Sequence, residues 1–285
     1  MSHKVRYNGE SRRGLSPALW GDPAKLVSDA ELGKCSFMFE DFRGWSTHAV
    51  NTNAVIQGDS ASWKILADAG VLVNPPTTVN LDVGECGVLV VSGADADNDE
   101  CYIVMPYEWL KFDATYGYKV YFEARVRKDA IAADSTSGFL TGLVSVADVA
   151  AGLLADDTGA LVATGDFVGF HQKIDDVNGV DFLYQKDSQT QQLVLANAAT
   201  LVANTFVKLG FLYDGTPGDL NCLKFFVDGV QKNISANTVT AANIAAATFP
   251  DDVTVSPCFG FKMNGTGDAN YAHIDWIAAA QYYED

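Results

Sequence analysis

The stretch FVKLGFLYDGTPGDLNCLKFFVDGV, residues 206–230, decides the fold. Apolar residues recur in it at every second position, as Val207, Leu209, Phe211 and Tyr213 in one run and Leu223, Phe225 and Val227 in the next. A period of two predicts β-strands. The Gly, Pro and Asp residues between the runs turn the chain. Asp228–Gly229, between two valines, predicts a two-residue type I′ hairpin, because both central residues need positive φ.

Similar runs, separated by turn residues, recur on both sides of this stretch from Ser36 onward. The clearest is GYKVYFEARVRK, residues 117–128, whose even-numbered apolar residues predict a core-facing side. Its odd-numbered residues, Glu123 among them, are expected in solvent or at an interface. About a dozen such runs predict an all-β fold, an antiparallel β-sandwich with a few short helices.

The first 34 residues differ from the rest. We expect residues 1–34 to form an extended N-terminal arm with a short helix from Pro23 to Leu32, and residues 35–285 to form one sandwich domain. The residues of this arm that we expect to bind a partner are Arg6, Arg12, Arg13 and Trp20. Arginine supplies charged pairing and tryptophan a buried anchor at interfaces. A floppy terminus is the alternative interpretation of the same residues.

Composition narrows the function. The 285 residues carry a formal charge of −17, and so acidic a surface repels phosphate backbones, which argues against direct nucleic-acid binding. The five cysteines form no CxxC pair, so neither a disulfide framework nor a zinc site is predicted. The N-terminus has no apolar signal-peptide core, and no apolar run is long enough to span a membrane.

One loop is a candidate calcium site. Its carboxylates at alternate positions are Asp95, Asp97 and Asp99. Alternating carboxylates on a loop suit a hard cation. The loop departs from the EF-hand pattern, because Glu100 stands at the glycine position and Pro106 at the bidentate glutamate position. A solvated acidic loop without metal is the alternative.

No arrangement of residues predicts catalysis, so we expect a protein that is not an enzyme. The paired carboxylates of a glycosidase, spaced by two on a strand, do not occur, and neither does a GxSxG, SxxK or P-loop motif. His273 and Asp275 are expected on the same face of a strand, as an orienting pair or a structural one. The aromatic residues that form either core or a sugar-stacking platform are Trp45, Trp63, Trp109, Tyr107 and Tyr116.

Several of these motifs together resemble a known family. The succession of YDG, LKFFVDG, a helical turn, an FGF strand, an acidic glycine loop and IDW is similar to concanavalin A-like (laminin G-like) jelly rolls. With DADNDE, KVYFEARVR and FLTGLVSV, it resembles tailed-phage virion proteins of this fold over about residues 85–280.

The resemblance implies a structural role as a capsid decoration (cement) protein. It implies the major capsid protein and copies of itself as partners, in a homo-oligomer that is a dimer or trimer. The protein would be assembled in the host cytoplasm and lie on the virion exterior, with no membrane contact. The alternative is a carbohydrate-binding module of a phage fibre or tail that recognises host-surface glycan, with calcium as the cofactor to consider.

Overall fold

The described chain is a β-sandwich of two antiparallel sheets with short helices outside them. The computed structural model describes residues 14–21, 23–42, 48–50, 54–57, 62–67, 77–81, 88–93, 98–113, 116–129, 137–149, 152–174, 176–216, 220–233, 237–264 and 271–283. The predicted all-β fold, an antiparallel β-sandwich with a few short helices, is therefore confirmed. No helix among the described residues is long and apolar enough to cross a membrane.

The described residues form four helices and eighteen strands. The helices are α1 (Pro17–Trp20), α2 (Pro23–Glu31), α3 (Val146–Val149) and α4 (Ala241–Ile244). The first nine strands are β1 (Cys35–Glu40), β2 (His48–Val50), β3 (Ala54–Gln57), β4 (Ser62–Ala67), β5 (Thr77–Leu81), β6 (Leu89–Gly93), β7 (Glu100–Val104), β8 (Leu110–Lys111) and β9 (Lys119–Lys128). The next nine are β10 (Ser137–Val144), β11 (Phe167–Gln172), β12 (Gly179–Gln185), β13 (Gln192–Thr200), β14 (Val207–Asp214), β15 (Leu223–Val227), β16 (Val230–Gln231), β17 (Thr254–Met263) and β18 (Tyr271–Tyr282).

The strands divide between two sheets. Sheet A has the order β16-β15-β14-β9-β18-β6-β5-β2, and β1 pairs with the second half of β18. Sheet B has the order β13-β12-β11-β10-β17-β7-β4-β3, and β8 pairs with β17. The main core lies between the two sheets, where Phe122 and Phe211 of sheet A stack at 5.4 Å.

The hairpin that decides the fold forms as the sequence predicts. Strands β14 and β15 pair with Phe211 opposite Phe225. Asp228 and Gly229 have φ values of 50° and 77°, the left-handed backbone that a type I′ turn requires. The turn places β16 at the edge of sheet A, beside β15.

Both outer faces of the sandwich carry covering segments. Residues around α3 pack on sheet B in a second apolar cluster, and α1 and α2 pack on sheet A, including its strand β1, in a third. The predicted helix from Pro23 is confirmed as α2, which ends at Glu31. Residues 17–20, predicted as extended, are helical instead, because Pro17 presets the first turn of α1.

Candidate functional site

The predicted partner-binding residues fall in two places. Arg6, Arg12 and Arg13 lie outside the described residues. Trp20 is 6% exposed and packs within its own chain, against Phe37 of β1 and Tyr121 of β9. Its role toward a partner therefore stays a prediction, while its packing within the chain is a finding.

The described part of the predicted arm is fastened to the outer face of sheet A. The buried residues of this third cluster are Leu19, Trp20, Leu26, Cys35, Phe226, Trp276, Ala278 and Ala280. The alanines of β18 leave room for larger side chains from the helices, so the segment lies close to the sheet. Burial of this apolar surface stabilises the docked segment at about 25 cal/mol per Å² removed from water.

A buried carboxylate organises this contact. Oε2 of Glu123 accepts hydrogen bonds from the backbone N–H of Ser16 at 3.0 Å and from Nε1 of Trp20 at 2.8 Å. Burial raises the pKa of Glu123, and the hydrogen bonds from Ser16 and Trp20 and the charge of Lys208 oppose that rise. Nζ of Lys208 in turn donates to the carbonyl of Gly14 at 3.2 Å. We call Glu123 and Lys208 the arm latch.

A charged network adjoins the latch on the same face of sheet A. Arg125 pairs with Asp275, and its guanidinium lies 4.0 Å from the ring centroid of Phe206. The guanidinium of Arg127 lies 3.2 Å from Nδ1 of His273. A planar guanidinium can stack on an aromatic ring and also pair with a carboxylate, so lysine would not be an equivalent replacement for Arg125.

The predicted His273–Asp275 pair divides between two partners. Nε2 of His273 lies 2.8 Å from Oδ1 of Asp129, while Asp275 pairs with Arg125. A bulge in β18 between Ile274 and Trp276 causes this division, because the extra residue shifts the register of the strand against β9. The sequence pattern placed both residues on one face but gave no signal for Asp129 as the carboxylate beside His273.

Of the three residues predicted as calcium ligands, only Asp99 lies among the described residues. Asp95 and Asp97 lie outside the described residues, and Asp99 is 2% exposed, with its carbonyl accepting the N–H of Met263. Within the described part of the chain, no group of three His, Cys, Asp or Glu residues is arranged to hold a metal ion. The calcium site therefore stays a prediction.

A buried ammonium group occupies the neighbourhood of this loop. Nζ of Lys262 lies 3.4 Å from Glu100, 2.7 Å from Asp156 and 2.9 Å from the carbonyl of Leu154. Tyr102 links the same elements, since its hydroxyl donates to Glu100 at 2.8 Å. A lysine side chain thus supplies positive charge to the carboxylates that follow the acidic loop.

The five aromatic residues separate into core and surface. Trp63 is fully buried and Trp109 packs against the core, whereas Trp45 lies outside the described residues. Tyr107 and Tyr116 are 72% and 69% exposed. The ring of Tyr116 stacks on that of Tyr118, with centroids 5.6 Å apart and planes inclined by 24°.

Comparisons with known proteins establish the fold and leave the function open. No protein-family model and no curated protein matches the sequence. An endo-1,3-β-glucanase from Streptomyces sioyaensis is similar in structure, with a TM-score of 0.55 and 14% identity over 87% of this chain and 97% of that one. A protein of unknown function from Shewanella oneidensis MR-1 has a TM-score of 0.51 and 14% identity over 92% and 95%. The carbohydrate recognition domain of Emp47p follows at 0.49, with 12% identity over 89% and 98%.

Proposed function

We propose that this protein is a non-enzymatic structural protein of a tailed-phage virion, which decorates and stabilises the capsid through its N-terminal arm. Its partners are the major capsid protein and further copies of itself. The resemblance of its motifs to phage virion proteins motivates this role. The arm latch at Glu123 is the observation that carries it.

The latch supports the proposal because it fixes Gly14 and Ser16, within the arm, to the sandwich. Lys208 holds the carbonyl of Gly14, and Glu123 holds the N–H of Ser16, two residues further on. Residues 1–13 therefore join the sandwich next to two residues that are attached to sheet A.

The distribution of charge supports the same role. Residues 1–13 contain four basic residues and one acidic residue, a net charge of +3. Residues 14–285 carry a net charge of −20, and the two parts give the total of −17. A basic segment on a strongly acidic body favours binding in one orientation, with the body held away from other acidic surfaces.

The surroundings of Glu123 support a role without catalysis. Retaining glycosidases use two carboxyl groups about 5–5.5 Å apart on an accessible face. Two residues away from Glu123 along β9 lie Tyr121 and Arg125, and the carboxylate itself is covered by Ser16 and Trp20. This arrangement suits a structural carboxylate that holds the arm.

Co-sedimentation with undecorated heads of the source phage tests the proposal. The full-length protein is compared with a variant that begins at Gly14, which keeps every residue of the third cluster on sheet A. We expect saturable binding by the full-length protein and none by the shortened one. Arg12→Ala/Arg13→Ala is expected to reduce occupancy, because it removes two positive charges from the arm.

A double variant, Lys173→Ala/Lys232→Ala, is the matched control, since it removes the same charge from a partly exposed and an exposed position outside the arm. It should decorate heads at full occupancy. Full decoration by the variant that begins at Gly14 would refute a role for residues 1–13. Failure of every form to bind heads would refute the capsid role and favour the glycan-binding alternative.

A further inference from the structure

Three tyrosines form an aromatic surface that the decoration role does not use. Tyr116 is 69% exposed and stacks on Tyr118. Tyr118 meets the edge of Tyr283, with centroids 5.9 Å apart and planes at 89°. The hydroxyl of Tyr283 lies 2.6 Å from Oγ of Ser36, which ties the group to β1. We call Tyr116, Tyr118 and Tyr283 the tyrosine shelf.

The backbone holds the shelf in place. Gly117 has a φ of 68°, and this left-handed conformation turns the chain so that rings two residues apart can stack. The N–H of Tyr116 donates to Oδ1 of Asp113 at 3.3 Å, and the N–H of Gly215 donates to the carbonyl of Tyr118 at 3.1 Å. A ring held in this way loses little conformational entropy when a ligand stacks on it.

Polar side chains border the shelf. Asp113 accepts from the backbone of Tyr116 and lies 3.5 Å from Nζ of Lys111. Lys119 follows Tyr118 at the start of β9. Its Nζ lies 3.8 Å from Asp214 of the neighbouring strand β14. An exposed aromatic face with carboxylate and ammonium groups at its margin offers a flat apolar surface together with hydrogen-bond acceptors and donors.

We propose that the tyrosine shelf binds a neutral glycan, with one pyranose ring stacked on the exposed face of Tyr116. The C–H face of the sugar covers the ring, and its hydroxyl groups exchange hydrogen bonds with Asp113 and Lys111. Anionic glycans are disfavoured, because the chain carries −17 and repels further negative charge. The site does not depend on capsid decoration, since it shares no residue with the arm latch or with residues 1–13.

Titration with oligosaccharides of defined charge tests this site. The neutral probes are laminarihexaose, cellohexaose, mannohexaose and N-acetylchitohexaose, and hexagalacturonate is the anionic probe. Binding is measured by isothermal titration calorimetry and saturation-transfer NMR. We expect a neutral probe to bind and hexagalacturonate not to bind, and Tyr116→Ala to weaken that binding about tenfold or more.

Tyr107→Ala is the matched control, because Tyr107 is 72% exposed and lies between β7 and β8, outside the tyrosine shelf. It should bind as the unaltered protein does. The variant that begins at Gly14 should also bind, which separates this site from the capsid contact. Absence of binding to all four neutral probes, equal binding by Tyr116→Ala, or preference for hexagalacturonate would overturn the proposal. Self-association abolished by Tyr116→Ala, without saccharide binding, would instead identify a protein interface.

Discussion

Nε1 of Trp20 donates to Oε2 of Glu123 across 103 positions of sequence, at 2.8 Å and in a buried environment. The same oxygen accepts the N–H of Ser16, so one carboxylate satisfies two donors of the docked segment. A buried donor or acceptor left without a partner costs about 1–3 kcal/mol. This contact therefore contributes specificity to the way residues 14–31 lie on sheet A.

The pKa of Glu123 predicts how the latch responds to pH. Burial raises it above the ordinary value of 4.5, so the folded protein holds this proton more tightly than the unfolded chain does. Between 4.5 and the raised pKa, the free energy of unfolding must fall as pH rises. We expect Glu123→Gln to remove this dependence, because an amide does not titrate. Thermal unfolding of both proteins across this range measures the difference, and a difference that does not vary with pH would contradict the assignment.

Truncating the same side chain tests its hydrogen bonds. Glu123→Ala removes the acceptor from both Ser16 and Trp20, and we expect a loss of about 2–4 kcal/mol in the free energy of unfolding. Denaturant titration at a single pH measures it. A loss below about 0.5 kcal/mol would show that the two donors find other partners.

The sequence predicted the strands better than their coverings. A period of two is a local property, so β9, β14 and β15 were evident from the spacing of apolar residues. The covering of Glu123 depends on contacts with Ser16 and Trp20, which are distant in sequence, and no local pattern signals it. Glu123 was therefore expected in solvent or at an interface, whereas it is fully buried.

The bulge in β18 is the second feature that the spacing of residues did not predict, and it separates the partners of His273 and Asp275. Strict alternation from Ala272 would direct Trp276 to the core, yet Trp276 belongs to the third cluster on the outer face and Ile277 faces the core. One extra residue reverses the face of every side chain that follows. A bulge has no strong sequence signal here, because no glycine or proline marks the position.

The side-chain amide of Asn233 pairs with the backbone of β15, as a neighbouring strand would. Its Oδ1 accepts the N–H of Phe225 at 3.0 Å, and its Nδ2 donates to the carbonyl of Leu223. The side chain thus continues the ladder of β15 beyond β16. We expect Asn233→Asp to cost about 2–3 kcal/mol in the free energy of unfolding, because the carboxylate lacks the donor and is fully buried. Lys232→Ala, at the exposed neighbouring position, should change it by less than about 0.5 kcal/mol, and equal effects would refute the role of the amide.

We expect the contacts of Lys262 to hold together the loops beside the acidic segment. Its side chain is 3% exposed, and its ammonium contacts Glu100 and the carbonyl of Leu154. Lys262→Met keeps the length of the side chain and removes the charge, and we expect it to cost about 3 kcal/mol in the free energy of unfolding. Denaturant titration measures this loss, with Lys173→Met as the comparison at a less buried site. Unchanged stability of the Lys262 variant would mean that Glu100 is solvated without its partner.

Lys128 predicts a rise of stability in mild alkali. It has the parity of the core-facing residues of β9, and its Nζ donates to the carbonyl of Ser137 at 2.7 Å. Burial lowers the pKa of Lys128 from 10.5 to about 7. Between these values the unfolded chain binds more protons than the folded one, so the free energy of unfolding rises with pH, at a limit of about 1.4 kcal/mol per pH unit. Lys128→Met should abolish this rise while leaving the far-ultraviolet spectrum unchanged. Denaturant titrations from pH 7 to about pH 9 measure this rise. Parallel curves for the two proteins would show that folding does not lower the pKa of Lys128.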